Sequence, residues 1–312
     1  MTHPMAVQCA FAGALLALMA GAAPAPTKDQ SITVQVGAQK RTCVVHLPPA
    51  SKGTRALPLV IVIHGSGGTG ASMAGTTGFN ALADKEGFIA AYPDGIVGKN
   101  RGWNALFGKP IPGGQGAQID DVDDVGFIRA LIDQLHASYH TDPARVFVCG
   151  HSAGAYMAYR VAIDLADRVA AAGVVNGLLG IRLIDGKPSI PDIPPPVAPV
   201  SVIHICGGKD NLVKFGGVVT PKVMAKSVPD CVQHFVKANG CSAAGKETRD
   251  AEHSVVRTLY TGGKAGTEVE LVLVENCNHS WPYPPQGLAA TQTLWDFFAK
   301  HPKAAHAPGA LP

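Results

Sequence analysis

Apolar residues fall into short runs, and the spacing of these runs changes after the first fifty residues. Residues 31–37 (SITVQVG) and 41–47 (RTCVVHL) alternate apolar and polar side chains around a Gly-containing connection. This alternation predicts an antiparallel hairpin at a sheet edge. Later runs are continuous, as expected of parallel strands that are covered on both faces. These runs occupy residues 58–64, 88–92, 145–149, 170–175, 200–206 and 268–274.

Helical patterns separate the apolar runs, and the alternation of strand and helix predicts a doubly wound, mostly parallel α/β sheet. Eight strands that begin with an antiparallel hairpin are typical of the α/β-hydrolase fold. The helical patterns lie at about residues 78–86, 121–138, 153–168, 228–238 and 287–300.

Two long connections interrupt this alternation. The first, residues 94–118, is Gly-rich and contains Gly102-Trp103-Asn104; the second, residues 177–199, is Pro-rich. Both follow the carboxyl ends of predicted strands, where open α/β sheets bind ligands. We interpret them as walls of a pocket, with plain surface insertions as the alternative.

The amino-terminal segment predicts export. Residues 6–23 form an apolar run that ends in small residues, typical of a secretory signal peptide at residues 1–23. The preceding MTHPM carries no Lys or Arg, so an anchor or a misassigned start stays open. We expect a soluble, secreted mature protein, extracellular or periplasmic, with one catalytic domain at 30–301 and a disordered tail at 302–312.

Charge is low and scattered along the chain. Lys and Arg number 26 and Asp and Glu number 23, which gives a formal net charge of +3. Since no basic run is present, nucleic acid and an anionic membrane surface are poor candidates for a partner. A small or neutral substrate fits this composition better, and the pattern leaves the oligomeric state open.

Six cysteines follow the apolar amino-terminal run, an even number that suits an oxidising compartment. Cys149 and Cys206 end strands that the predicted fold separates by one intervening strand, too far apart for a disulfide. Cys231, Cys241 and Cys277 flank the carboxyl-terminal part of the predicted site. We expect one disulfide among these three, with Cys241–Cys277 as the preferred pair.

The segment at residues 150–154 (GHSAG) matches the GxSxG pattern of a nucleophile elbow, with Ser152 as the nucleophile. The pentapeptide alone is a weak signal in a chain with 36 glycines. Its setting between an apolar strand and a helical pattern is the strand-turn-helix context that the elbow requires. The alternative is a Gly-rich turn with an idle serine.

A serine hydroxyl needs a general base. In the α/β-hydrolase fold the three residues follow one another along the chain in the order Ser, acid, His, so the histidine base comes last. His279 lies between the last apolar run and the final helical pattern, which brings it to the same sheet edge as Ser152. The remaining histidines after Ser152 lie in a strand, a helix, a polar linker or the tail. These are His204, His234, His253, His301 and His306.

The acid of this set is expected in the loop that follows the run at 200–206, where Asp210 ends the sequence CGGKD. Its role would be to hold the histidine tautomer and to stabilise the imidazolium. Asp192 and Asp230 are the rival acids. Asp192 lies in the Pro-rich connection, and Asp230 opens a helix, where an aspartate ordinarily complements the helix dipole.

Backbone donors for a developing oxyanion are predicted at Ser66 and Ala153. Ser66 lies in HGSGG (64–68), directly after the first continuous run, and Ala153 follows the nucleophile. The glycines also suggest a phosphate loop, but no Lys-Ser or Lys-Thr follows them. Nucleotide binding is therefore disfavoured, and a simple strand-to-helix loop is the remaining alternative.

We expect no metal and no cofactor. Neither HExxH nor paired CxxC spacing occurs, so a zinc site has no support. The acidic run at 120–124 (DDVDD) could bind a cation. An acidic start to the following helix explains the same charges more simply.

The chain from about residue 40 to 300 resembles the secreted polyhydroxybutyrate depolymerase and feruloyl esterase family of α/β-hydrolases. The motifs occur in the order of that family. They are His64-Gly65, Tyr92-Pro93-Asp94-Gly95, Gly102-Trp103-Asn104, Asp123-Asp124-Val125-Gly126-Phe127, the elbow, Asp210 with Leu212-Val213, Asn239-Gly240-Cys241, and His279-Ser280-Trp281-Pro282.

The resemblance implies a secreted serine esterase with the triad Ser152, Asp210 and His279, acting on hydroxyalkanoate oligomers or polyester, or on feruloyl esters. Two departures from the family pattern bear on the substrate and on the disulfides. Ser66 stands where depolymerases usually carry Cys. Residues 276–278 (NCN) stand where the segment before the catalytic histidine is frequently Gly-rich. A peptidase, an acyltransferase, an acetyl xylan esterase and a catalytically degenerate binding module are the alternatives. Substrate contacts are expected from His64, Trp103, Asn104, His151 and Trp281.

Overall fold

The computed structural model describes residues 29–96, 102–108, 122–188 and 193–303. The predicted signal peptide, Asp192 and most of the predicted tail lie outside these residues. The strands of the described chain are β1 (Gln30–Val36), β2 (Gln39–His46), β3 (Leu57–Ile63), β4 (Ile89–Pro93), β5 (Thr141–His151), β6 (Ala171–Val175), β7 (Gly180–Ile184), β8 (Lys187–Pro188), β9 (Ser201–Gly207), β10 (Val218–Val219), β11 (Val223–Ala225), β12 (Lys246–Asp250), β13 (Val255–Tyr260) and β14 (Val269–Val274).

The helices alternate with the strands, as the sequence predicts. They are α1 (Gly70–Thr77), α2 (Phe79–Glu86), α3 (Asp124–Tyr139), α4 (Ala153–Asp164), α5 (Val228–Asn239) and α6 (Ala290–Lys300). None of the helices in the described part of the chain is long and apolar enough to cross a membrane. Helix α1 was not predicted, because its sequence GASMAGTT carries few strongly apolar residues.

One sheet has the strand order β1-β2-β4-β3-β5-β6-β9-β14-β13-β12 within the described residues. The strands from β4 to β14 in this order run parallel, and both edges are antiparallel. The predicted α/β-hydrolase fold is therefore confirmed. The predicted count of eight strands is wrong, because β12 and β13 extend the sheet. Strand β12 reads KETRD with every side chain exposed, so it offers no apolar pattern.

Strand β3 shows how the sheet separates two apolar cores. All seven of its residues are buried. Leu59, Ile61 and Ile63 pack in the core that includes residues of α3, α4 and α5, while Val60 and Val62 pack in the core of α1, α2 and α6. Successive strand side chains point to opposite faces. A continuous apolar run is therefore what a strand between two helix layers requires.

A second, smaller sheet has the order β10-β11-β7-β8. Its strands lie in the connections that follow the carboxyl ends of β6 and β9. The loop at 102–108 joins it, since the Phe107 N–H donates to the Gly180 carbonyl (3.0 Å) and the Arg182 N–H donates to the Phe107 carbonyl (2.7 Å). Parts of both long connections thus form ordered structure, and their role as pocket walls stays a prediction.

The expected Cys241–Cys277 disulfide does not form, because all six cysteines of the described chain are free thiols. The Cys241 thiol contacts the Thr267 carbonyl, before β14 begins, whereas Cys277 follows the carboxyl end of β14. Six strand residues span about 20 Å. A disulfide needs Cα atoms roughly 4.4–6.8 Å apart. The expectation failed because Cys241 lies near the amino end of β14 and Cys277 lies at its carboxyl end.

Candidate active site

Ser152 stands in a strained turn between β5 and α4, with φ 55° and ψ −122°. Non-glycine residues rarely adopt positive φ, and such strain is typical of functional sites. The turn is possible because its neighbours lack side chains. A Cβ on Gly150 would lie 2.2 Å from the Gly154 carbonyl oxygen, and a Cβ on Gly154 would lie 2.2 Å from the Ile63 oxygen.

Ser152, His279 and Asp210 form one chain of hydrogen bonds. His279 Nε2 lies 2.9 Å from Ser152 Oγ, and His279 Nδ1 lies 2.7 Å from Asp210 Oδ2. A carboxylate can only accept, so Nδ1 carries the proton and donates it to Asp210. Nε2 is then the acceptor for the Ser152 hydroxyl. This tautomer is the one that a histidine needs in order to take a proton from serine.

The Asp210 carboxylate is held by its own loop. Its side chain is 1% exposed. Oδ1 accepts hydrogen bonds from the N–H groups of Leu212 and Val213, both at 2.8 Å, and this leaves Oδ2 for His279. The rival Asp230 lies in the first turn of α5, where it accepts a hydrogen bond from the N-cap Ser227 hydroxyl (2.6 Å).

The predicted oxyanion donors flank the nucleophile. A Cβ on Gly65 would lie 3.2 Å from Ser152 Cβ, so the loop at 64–68 passes directly beside the serine. In the described part of the chain, neither the Ser66 amide nor the Ala153 amide donates to a protein acceptor. Both N–H groups therefore remain without a protein acceptor in the neighbourhood of Ser152, which an oxyanion donor requires.

His151, the neighbour of Ser152, and Trp281, two residues after His279, border a cavity of about 400 Å³. The His151 ring lies 5.1 Å from the His279 ring and 6.4 Å from the Trp281 rings. Burial, and secondly the nearby His279, lower the pKa of His151 to about 4. His151 is therefore neutral at pH 7 and adds no repulsion to an imidazolium at His279.

The cavity also takes residues that the sequence did not single out. Thr76 and Thr77 come from the end of α1, and Tyr283 comes from the loop after His279. The Tyr283 hydroxyl donates to the Thr76 carbonyl and so connects the two sides. These residues carry no recognisable pattern, because their proximity arises only from the packing of α1 against the loop.

His64, Trp103 and Asn104 lie in the protein interior. The Trp103 indole is 0% exposed, and its N–H donates to the His64 carbonyl (2.8 Å). His64 Nε2 accepts from the Gly95 N–H (2.9 Å), and the Asn104 amide donates to the Val122 carbonyl (2.8 Å). These side chains are hydrogen-bonded within the interior, and the Trp103 ring exposes no surface to a ligand.

The described part of the acidic run at 120–124 has structural partners. Asp123 accepts from the Gly126 N–H at the start of α3 (2.7 Å). Asp124 pairs with the buried Arg41 guanidinium (2.7 Å). These contacts agree with an acidic helix start. The other two aspartates of the run lie outside the described residues.

Comparison with known proteins gives concordant results. The family model described as Esterase PHB depolymerase matches residues 42–182. A putative esterase from Nocardia uniformis subsp. tsuyamanensis is 31% identical over 294 residues, which cover 85% of this chain and 80% of that protein. Feruloyl esterase B from Piromyces equi is 26% identical over 77% of this chain, and the match spans only 42% of the relative.

Solved structures show the same fold at low identity. An acetyl xylan esterase from Aspergillus awamori superposes with a TM-score of 0.59 at 16% identity, covering 86% of this chain and 99% of that one. A CE1 ferulic acid esterase from Anaeromyces mucronatus, in complex with ferulic acid, gives a TM-score of 0.55 at 15% identity, covering 88% and 90%.

Proposed function

The chain belongs to the PHB depolymerase esterase family of α/β-hydrolases and is a carboxylic ester hydrolase, and from this premise we propose that it works through a serine acyl-enzyme. The observation that carries the proposal is the hydrogen-bonded chain Ser152–His279–Asp210. Its serine stands in a strained turn, and its carboxylate is buried. Three groups aligned in this order supply a nucleophile, a general base and a group that orients the base.

In the first step, Ser152 Oγ attacks the ester carbonyl carbon while His279 Nε2 takes the hydroxyl proton. The carbonyl oxygen becomes an oxyanion, which the Ser66 and Ala153 amides stabilise. Each such donor contributes roughly 10²- to 10³-fold in rate. Asp210 stabilises the imidazolium without taking its proton. Collapse of the tetrahedral intermediate breaks the ester C–O bond, and His279 gives its proton to the departing alcohol.

In the second step, water replaces the alcohol. His279 Nε2 takes one proton from the water as its oxygen attacks the acyl carbon, and a second oxyanion forms between the same two amides. Its collapse releases the carboxylic acid and returns the proton to Ser152. The protein's own groups supply every proton transfer in both steps.

A cavity next to the neighbours of Ser152 and His279 supports the proposed substrate class. The cavity beside His151 and Trp281 is large enough for an acyl or alcohol group of moderate size, and its lining carries no carboxylate or ammonium group. A neutral ester fits this lining. We assign hydroxyalkanoate oligomers or polyester and hydroxycinnamoyl esters as the substrate classes, in line with relatives named poly(3-hydroxyalkanoate) depolymerase and feruloyl esterase. Export through the signal peptide at residues 1–23 belongs to the same proposal.

The test is a substrate panel with the purified mature protein: methyl ferulate, hydroxybutyrate oligomers, acetylated xylan and short p-nitrophenyl esters. The Ser152→Ala protein, prepared in parallel, measures contaminating and spontaneous hydrolysis. Hydrolysis of at least one ester that depends on Ser152 supports the proposal. Turnover of a peptide in preference to every ester, or equal rates for both proteins, contradicts it.

A further inference from the structure

The last residue of strand β6 and the residue after it together contact every segment that carries a member of the proposed triad. The Val175 carbonyl accepts from the Ser152 N–H (3.0 Å). The Asn176 side chain donates from Nδ2 to the Ser280 carbonyl (2.8 Å) and accepts at Oδ1 from the Gly207 N–H (2.9 Å). Ser280 is the neighbour of His279, and Gly207 ends the strand that leads to Asp210.

Asn176 lies directly after the last paired residues of strands β6 and β9. The parallel pairing of β6 with β9 ends at Val175 and Ile205. Beyond that pair, the Asn176 N–H still donates to the Ile205 carbonyl (3.0 Å), and the side-chain amide carries the connection onward to Gly207 and Ser280. The amide is 1% exposed, so water does not replace these partners.

The loops of Asp210 and His279 are also bound directly to each other. The Lys209 N–H donates to the Cys277 carbonyl, and the Gly208 N–H donates to the Val274 carbonyl, both at 2.9 Å. These bonds hold Asp210 and His279 together without help from β6. Asn176 instead fixes the position of that pair relative to Ser152. Ser152 is itself bound to the end of β6 through its own N–H.

The residue type suits this task. An amide supplies one donor group and one acceptor group, which is what a carbonyl on one side and an N–H on the other require. Asn176 has φ 53°, a left-handed conformation that asparagine tolerates better than most side chains. An aspartate would keep the acceptor and lose the donor. A glycine would keep the backbone conformation and lose both side-chain bonds.

We propose that Asn176 is a positioning residue that sets the His279–Asp210 pair against Ser152; this inference rests on the proposed function. It touches no substrate. Its contribution is the 2.9 Å contact between His279 Nε2 and Ser152 Oγ, and not the contact between His279 and Asp210. Removing it therefore lowers kcat while KM changes little, since a misplacement of about 1 Å costs up to about 10²-fold in rate.

The same chain offers a matched control. Asn239, the last residue of α5, is 0% exposed and also uses both ends of its amide: Nδ2 donates to the Val200 carbonyl (2.8 Å), and Oδ1 accepts from the Val200 N–H (3.2 Å). It holds the amino end of β9, remote from Ser152. Asn239→Ala thus removes a buried amide with two partners and leaves the contacts at the carboxyl end of β9 untouched.

The experiment compares Asn176→Gly, Asn176→Asp and Asn239→Ala with the wild type. It measures kcat and KM for a p-nitrophenyl ester, the rate of covalent labelling by a fluorophosphonate, and Tm. We expect Asn176→Gly to lose roughly 10- to 100-fold in kcat and a similar factor in labelling rate. Asn176→Asp should fall between Asn176→Gly and the wild type. Asn239→Ala should lower Tm but keep kcat within about twofold of wild type.

Two results overturn the positioning role: a folded Asn176 variant with kcat within about twofold of wild type, or an equal loss of kcat in Asn239→Ala. If Asn176→Gly does not fold, Asn176→Asp, which differs by one group, decides the question. Wild-type hydrolysis that requires Ser152 but not Asn176 refutes only this inference. A wild type without Ser152-dependent hydrolysis refutes the proposed function and this inference together.

Discussion

At its carboxyl end strand β9 is held by the Asn176 amide, whereas at its amino end it is held by the Asn239 amide. Both are nearly completely buried asparagine amides that donate one hydrogen bond and accept another, although Asn176 donates to Ser280 and Asn239 has both partners on Val200. They differ in what lies next to them. The carboxyl end adjoins Asp210 and the strained Ser152, while the amino end adjoins ordinary helix and strand termini.

The difference teaches where this fold concentrates reactive groups. The carboxyl ends of neighbouring parallel strands meet at one edge, so the loops after β5, β9 and β14 can place three side chains within hydrogen-bond distance. Two of the positive-φ residues other than glycine, Ser152 and Asn176, stand at this edge. Similar asparagine amides therefore hold a reactive and an unreactive end of β9. Substitutions at the carboxyl end should mainly lower activity, and those at the amino end should mainly lower stability.

The largest effect on kcat is expected for Ser152→Ala, which lies at the edge formed by the carboxyl ends of the parallel strands. Loss of the nucleophile should reduce kcat by roughly 10⁴- to 10⁶-fold, and the fold should remain intact. Steady-state hydrolysis of a p-nitrophenyl ester and circular dichroism measure the two quantities. Retention of more than a few per cent of wild-type kcat would remove Ser152 from the mechanism.

Asp210→Asn should follow, with a loss of about 10⁴-fold in kcat, because an amide no longer enforces the tautomer that His279 needs. The bonds from Leu212 and Val213 have an acceptor in either residue, so the loop should keep its shape. Asp230→Asn is the matched control, since it alters the rival acid in α5. Comparable kcat losses in the two variants would mean that Asp210 has no special role.

A pH effect on stability is expected from the middle of β9. His204 is 0% exposed and is hydrogen-bonded to the Tyr159 hydroxyl, and burial lowers its pKa to about 3. The unfolded chain protonates this histidine below pH 6.5 and the native chain does not, so stability falls as pH falls from about 6.5 towards 3. Between pH 7.5 and 5.5 this histidine alone should remove roughly 1 kcal/mol from the free energy of unfolding.

Urea unfolding at the two pH values measures this effect. In His204→Asn the corresponding part of the pH dependence should disappear, although the buried site itself becomes less well packed. His151 acts in the same direction through its lowered pKa and remains in both proteins. An unchanged pH dependence in the variant would show that His204 does not titrate as its burial requires.

The smallest effect is expected for Cys241→Ser, near the amino end of β9. The thiol is free and partly exposed, so kcat should not change and the free energy of unfolding should shift by less than about 1 kcal/mol. Treatment of the wild type with a reductant should leave Tm unchanged. A fall of many degrees on reduction would instead reveal a disulfide.

Much of this organisation was readable from the sequence. Continuous apolar runs fix the parallel strands because both sheet faces are covered. The order Ser152, Asp210, His279 identifies the set because each residue follows a predicted strand. Strand β12 was not predictable, since its residues are polar and its pairing with β13 alone defines it.

Residues whose role depends on remote partners could not be assigned in this way. Asn176 precedes a glycine after an apolar run, which predicts only a turn. Its partners lie 31 and 104 residues away, and nothing local signals them. Trp103 was expected to contact substrate because it lies in a Gly-rich connection. Only the packed structure reveals that its ring is enclosed, since an aromatic residue in a loop can face either way.

The central claim is that Ser152 is a nucleophile activated by His279 and Asp210. The most direct measurement is intact-mass analysis of the purified protein after reaction with a fluorophosphonate, followed by peptide mapping. We predict one added phosphonyl group per chain, located on Ser152, with no addition to Ser152→Ala and slow addition to Asp210→Asn. Labelling of a different residue, or equal labelling of wild type and Ser152→Ala, would contradict the claim.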